Sequence, residues 1–163
     1  MSWPNQSQLA AYYGDPRGMD GEPSARWEAE NLVRISTPWR LVTAWDGQRV
    51  SSIRVHRLVA PSLERVFADI WEAAGKRQGV IDVWGMNLFA GAYQFRPTRG
   101  AASLSTHAYG AAVDFDSERN GLGNSAPNFA NIPQVLRAFE REGWVWGGRW
   151  RRPDGMHWQA ATV

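Results

Sequence analysis

Apolar residues recur with two different periods along the chain, and the change from one to the other divides it into elements. From Pro61 to Lys76, the positions Leu63, Val66, Phe67, Ile70, Trp71 and Ala74 follow the i, i+3, i+4, i+7 spacing that puts one apolar stripe on a helix. Pro61 suits its first turn, and Gly75 and Gly79 lie near its end. Ile132 to Glu142 reads as a second helix, with Pro133 near its start and Gly143 after its end. A shorter helix is expected over Gln6 to Tyr13, ended by Gly14-Asp15-Pro16, with loop from Gly14 to Ser24. Runs rich in β-branched and aromatic residues predict strands at Asn31 to Ser36, Trp39 to Ala44, Val50 to Val59, Val80 to Trp84 and Leu88 to Phe95, and again at Trp144 to Trp150 and Gly155 to Ala160. Asp46-Gly47 is a turn signal between the second and third of these. The pattern predicts an α+β fold, a small antiparallel sheet with the two longer helices packed around it.

At 163 residues the expectation is one domain over 1–163, large enough to bury a core without metal or disulfide staples. There are no cysteines, so any metal must be held by nitrogen and oxygen. No run approaches the roughly 18 apolar residues of a membrane span, so no membrane insertion is expected. Met-Ser-Trp-Pro-Asn-Gln has neither a basic region nor an apolar run, so the reading is synthesis in the cytoplasm without a signal peptide. The net charge is +2, and of the 18 basic residues only Lys76 is lysine. That balance suits attraction to acidic polymers, but no basic run is interleaved with aromatics as a nucleic-acid site requires.

Of the three histidines, two lie in strings that also carry carboxylates: Ser105-Thr-His107-Ala-Tyr-Gly110-Ala-Ala-Val-Asp114-Phe-Asp116, and Asp154-Gly-Met-His157-Trp-Gln. Two imidazoles and one carboxylate form a three-ligand set that leaves zinc an open position for water. Gly110 permits a turn after His107; alternation then puts Ala112, Asp114 and Asp116 on one strand face and Val113 and Phe115 on the other. Alternation does not choose between Asp114 and Asp116. Asp154 precedes His157 by three residues, and Gly155 between them would let its carboxylate swing toward a metal. Met156 and Trp158 are expected to face away from that metal, and Trp158 and Trp144 to enter the core. The Gly- and Asn-rich stretch 117–131 reads as a surface loop bordering the site. His56, in Ile53-Arg-Val-His-Arg-Leu with no carboxylate motif beside it, is assigned a structural or surface role.

The pattern S-x-H-x-x-G-x-A-x-D, with D-x-x-H beginning forty residues after Asp114, resembles the zinc peptidases that include D-alanyl-D-alanine carboxypeptidases and phage L-alanyl-D-glutamate endolysins. The similarity extends through Gly91-Ala-Tyr93-Gln-Phe-Arg96-Pro-Thr-Arg99-Gly100, Gly143-Trp144 and Trp146-Gly-Gly-Arg-Trp150, and fades before about residue 50, where no site is drawn. The resemblance implies the Hedgehog/D,D-peptidase fold and Zn2+ held by His107, Asp114 and His157, with Asp116 orienting neighbours. It further implies Asp154 as general base and acid; many members carry Glu there, and the endolysin-like ones carry Asp. Arg96 or Arg99 would stabilise the oxyanion or clamp a substrate carboxylate, Arg96 being favoured for the first role. Ser105 and Tyr109 would meet substrate.

The expected function is zinc-dependent hydrolysis of an amide bond in peptidoglycan stem peptides, by an endolysin-like endopeptidase or a D,D-carboxypeptidase. The enzyme would be a monomer that acts on the cell wall after release, as a phage lysin does. The alternative is a non-catalytic, zinc-containing wall-binding or interaction module, against which an acidic residue at Asp154 argues.

Overall fold

The computed structural model describes residues 2–96 and 103–163. A 3-10 turn at Gln6–Gln8 leads into α1 (Leu9–Tyr13), and Gly14, at φ 82°, ends it. A helix the apolar pattern did not announce, α2 (Ala25–Asn31), starts where the Ser24 hydroxyl accepts from the Trp27 amide, and runs directly into β1 (Leu32–Ile35). Then follow β2 (Leu41–Thr43), β3 (Arg49–Val50), β4 (Ile53–His56) and α3 (Ala60–Ala73). Next come α4 (Gln78–Trp84), β5 (Leu88–Gly91), β6 (Ala112–Phe115), α5 (Pro133–Arg141), β7 (Val145–Trp146) and β8 (His157–Gln159).

The strands form a six-stranded sheet in the order β3-β2-β5-β6-β8-β7 and a separate antiparallel pair, β1-β4. The class is α+β, as the pattern predicts, with one departure: β2 and β5 pair in parallel. Several expected strands are shorter. The run from Val50 breaks into β3 and β4, the run from Leu88 leaves the sheet after Gly91, and Trp146 passes straight into a 3-10 turn at Gly147–Arg149.

Val80 to Trp84, expected as a strand, lies in α4. Ile81 and Trp84 are buried three residues apart while Val83 is 69% exposed, which is the spacing of one helical face, and Gly85 closes the helix in the left-handed region.

One face of the sheet meets the helices. Leu63, Val66, Phe67 and Ile70 of α3 are buried at the predicted spacing, and Phe67 packs edge-on against Phe115 of β6. Phe139 of α5 stacks on Trp158 of β8 with centroids 4.5 Å apart and planes 9° from parallel. Such pairs add about 0.5–1.5 kcal/mol each beyond the area they bury. The N-terminal residues join this core: Trp3 donates to the Glu142 carbonyl, Tyr13 to the Ala160 carbonyl, and Asn5 bridges to Thr162. Because the helix-facing side is filled by these rings, the alternate residues of β6 and β8 open on the other side.

Candidate functional site

The cluster begins with the register of two strands. Asp114 of β6 and His157 of β8 are direct cross-strand partners, so the carboxylate of one string and the histidine of the other meet without any loop having to reach. His107 arrives from a 3-10 turn, Thr106–Tyr109, whose first amides are capped by Ser105, its hydroxyl accepting from the His107 N–H at 3.3 Å. Gly110 closes that turn at φ 67°. A Cβ there would lie 2.7 Å from the His56 nitrogen, so the turn is laid directly on β4 and only glycine fits.

Each imidazole is oriented by its outer nitrogen. His107 Nδ1 donates to the Ala92 carbonyl at 2.8 Å, which leaves Nε2 as a lone pair. His157 Nε2 donates to the Gln159 side-chain oxygen at 2.9 Å, which leaves Nδ1 as a lone pair. The Gln159 amide is itself fixed, its nitrogen donating to the Ala161 carbonyl at 3.1 Å and its oxygen also accepting from the Thr106 hydroxyl at 3.2 Å. The two inward nitrogens stand 3.1 Å apart, and the Asp114 oxygens lie 3.2 Å from His107 Nε2 and 3.0 Å from His157 Nδ1.

This donor set fits a zinc ion. Two lone pairs and a carboxylate pointing at one another repel unless a cation or a proton lies between them. Ligands about 2.0–2.1 Å from a tetrahedral ion are about 3.3 Å from each other, close to the 3.0–3.2 Å separations here. Three nitrogen and oxygen atoms, in a cluster whose members all lie within 4.8 Å, could hold the ion and would leave room for water chemistry beside them. Burial pushes the Asp114 carboxyl up, but the two imidazoles together outweigh it and hold Asp114 below the usual carboxylate range. Burial pushes the His157 imidazolium down, and the Asp114 hydrogen bond and charge, with Asp154 and Gln159 adding to them, hold it above its ordinary value. In the metal-free chain a proton therefore competes for the same place.

The cluster opens into a cavity of about 540 Å³ whose walls include Arg96, Ser105, Trp150, Asp154 and Met156. Asp154 thus shares the cavity with all three cluster residues. Its segment is clamped rather than free to swing: Asp154 N donates to Gly147 O, Gly155 O accepts from the Trp146 indole at 2.7 Å, and Met156 N donates to Asn120 O. Gly155 serves close approach instead, since a Cβ on it would meet Pro127 at 2.4 Å. Ser117 and Leu122 of the 117–131 stretch also border the cavity.

Other expectations shift. Asp116 leaves the strand alternation at φ 48°; its carboxylate bonds Arg119 at 2.6 Å against the Gly85 turn and does not line the cavity. Tyr109 is 6% exposed in the core and is likewise not in the cavity wall. Met156, expected to face away, lines the cavity because β8 begins only at His157. Arg99 lies outside the described residues. Trp144 and Trp158 are core, as expected, whereas Trp150 sits 5.4 Å from the His157 ring. His56 is fully buried and structural: Nε2 donates to the Tyr13 carbonyl at 2.9 Å and Nδ1 accepts from the Leu58 amide at 3.0 Å. Gln159 is the site residue the sequence reading passed over, although two-residue alternation from His157 puts it on the same strand face.

Residues 98–160, less than half of the chain, match the model of a D-alanyl-D-alanine carboxypeptidase family. No curated protein and no solved structure matches the chain. The matched segment contains Ser105, His107, Asp114, Asp154 and His157, so the part of the chain that builds the His/Asp/His cluster and most of its cavity is the part similar to a peptidase.

Proposed function

We propose that the chain is a zinc peptidase that hydrolyses an amide bond in peptidoglycan stem peptides. The observation that carries this reading is the pair of imidazole lone pairs and the Asp114 carboxylate converging at the floor of an open cavity, within the segment that matches the peptidase family. Zinc, when bound, would supply Lewis acidity for activating a water and polarising the substrate carbonyl.

The residues around it divide the remaining work. His107, Asp114 and His157 would hold the ion, and Ala92 and Gln159 keep the two imidazoles in the tautomers this requires. Asp154, in the same cavity, takes the proton of the attacking water and delivers it to the leaving amine. Arg96, on the cavity wall with its carbonyl anchored by the Ser105 amide at 2.9 Å, stabilises the oxyanion. Ser105 sets the turn that presents His107, and Arg99 contributes to substrate binding. The enzyme works on the cell wall as a monomer, as a phage lysin would.

Incubating purified peptidoglycan with the zinc-loaded protein and identifying the new termini by mass spectrometry tests this reading. A single new pair of amine and carboxylate termini within the stem peptide is expected. Unchanged peptidoglycan would reject it.

A further inference from the structure

A second groove, of about 500 Å³, adjoins the metal cavity; Ala90 and Gln94 line both. All six residues from Phe89 to Gln94 line it, so it follows the end of β5 and its continuation to the residues shared with the metal cavity. Its other wall carries Arg34 and Arg54, with Trp45 at its side.

The arginines are arranged in a way that folding alone does not favour. Arg34 and Arg54 are direct partners in the antiparallel β1-β4 register, and like charges placed opposite each other on paired strands are destabilising. Among the described residues neither forms an ion pair with a carboxylate. Glu28, the acid on this side, is instead hydrogen-bonded by the Tyr93 hydroxyl. Both guanidinium groups are held in place, Arg34 by donating to the Ser52 hydroxyl at 3.3 Å and Arg54 by lying 4.8 Å over the Tyr93 ring. Among the described residues, most of their five N–H donors each have no hydrogen-bond acceptor and can take a ligand. Trp45 is 67% exposed, a large apolar surface left in water beside them.

We infer that this groove is an acidic-peptide subsite, in which Arg34 and Arg54 together grip a carboxylate on the part of the substrate that extends beyond the cut bond and Trp45 packs on its backbone. A carboxylate between two guanidiniums removes their repulsion and accepts several charge-assisted hydrogen bonds. An extended chain lying along 89–94 reaches both the arginines and the metal cavity. The inference rests on the peptidase reading and deepens it: the substrate is a peptide spanning the cut bond and bearing an acidic group, as an endopeptidase requires, and not a terminal dipeptide alone.

The test uses two synthetic stem-type peptides that differ only in a carboxylate distant from the cut bond, free in one and amidated in the other. Binding to the zinc-loaded protein is measured by calorimetry and cleavage is followed in parallel. Wild type should bind the free acid about tenfold tighter than the amide, and Arg34→Gln/Arg54→Gln should bind the two equally. Trp45→Ala, an exposed change that spares the arginine pair, should weaken both peptides and keep the ratio between them. Equal binding of both peptides by wild type, or a ratio that survives the double substitution, overturns the subsite. Discrimination without any cleavage leaves the subsite standing and rejects the hydrolytic reading. Cleavage without discrimination does the reverse.

Discussion

His107 Nε2 and His157 Nδ1 face each other at 3.1 Å, and the outer nitrogen of each ring is already bound to an oxygen. Neither ring can therefore turn its lone pair away without losing a buried hydrogen bond, worth about 0.5–1.5 kcal/mol net and more if a polar group is left unpaired. The fold spends this local repulsion in advance, so that a cation entering the cluster meets donors that are already aimed.

Gln159 should accordingly govern metal affinity without touching the metal. Gln159→Leu removes the acceptor that holds the proton on His157 Nε2, so zinc affinity measured by chelator competition is expected to fall about 10- to 100-fold with the fold intact. Affinity equal to wild type would show that the strand register alone orients His157.

His56 should leave a signature in acid. Burial pushes its pKa below the ordinary 6.5, with the hydrogen bond to the Tyr13 carbonyl opposing and nearby Arg57 adding to the depression. Below about pH 6.5 the unfolded chain takes up a proton that the native imidazole does not, so this group costs stability as pH falls from 6.5 toward the lower native value. His157, raised in the metal-free chain, acts with the opposite sign, its contribution being present at low pH and lost as pH rises. Comparing metal-free wild type with metal-free His56→Asn cancels the His157 part. The variant should be less stable at neutral pH yet lose less of its stability on acidification, as read from urea midpoints. Parallel curves for the two proteins would contradict this.

What the sequence made legible follows from how local each signal is. The α3 stripe of Leu63, Val66, Phe67 and Ile70 repeats over about two turns and admits one period, whereas Val80-Ile-Asp-Val-Trp is short enough to be read either way, and only the exposure of Val83 beside buried Ile81 and Trp84 shows a helix. The helix α2 was hidden because its one buried side chain, Trp27, gives no periodicity to read. The meeting of His107, Asp114 and His157 was legible because they lie in two tight strings, with Asp114 chosen over Asp116 by the resemblance. Asp116 was not, since a positive φ at the strand end breaks the alternation that the reading relied on. The clamp on Asp154, made by Gly147, Trp146 and Asn120, is tertiary and has no local signal.

Asp154 is expected to be catalytic and not a ligand, because His107, Asp114 and His157 already complete a three-ligand cluster. Asp154→Asn keeps the size and polarity of the side chain but cannot accept the water's proton. Peptidoglycan hydrolysis should fall about 10²- to 10⁴-fold while the zinc content stays that of wild type. Loss of zinc together with activity would make Asp154 a ligand, and near-normal hydrolysis would remove it from the mechanism.

The metal assignment stands beneath all of this, and zinc stoichiometry of the purified protein tests it most directly. Wild type should carry one zinc per chain, and His107→Ala and His157→Ala should each lose most of it, since every removed imidazole leaves an under-coordinated ion. Full zinc occupancy in both variants would contradict the account.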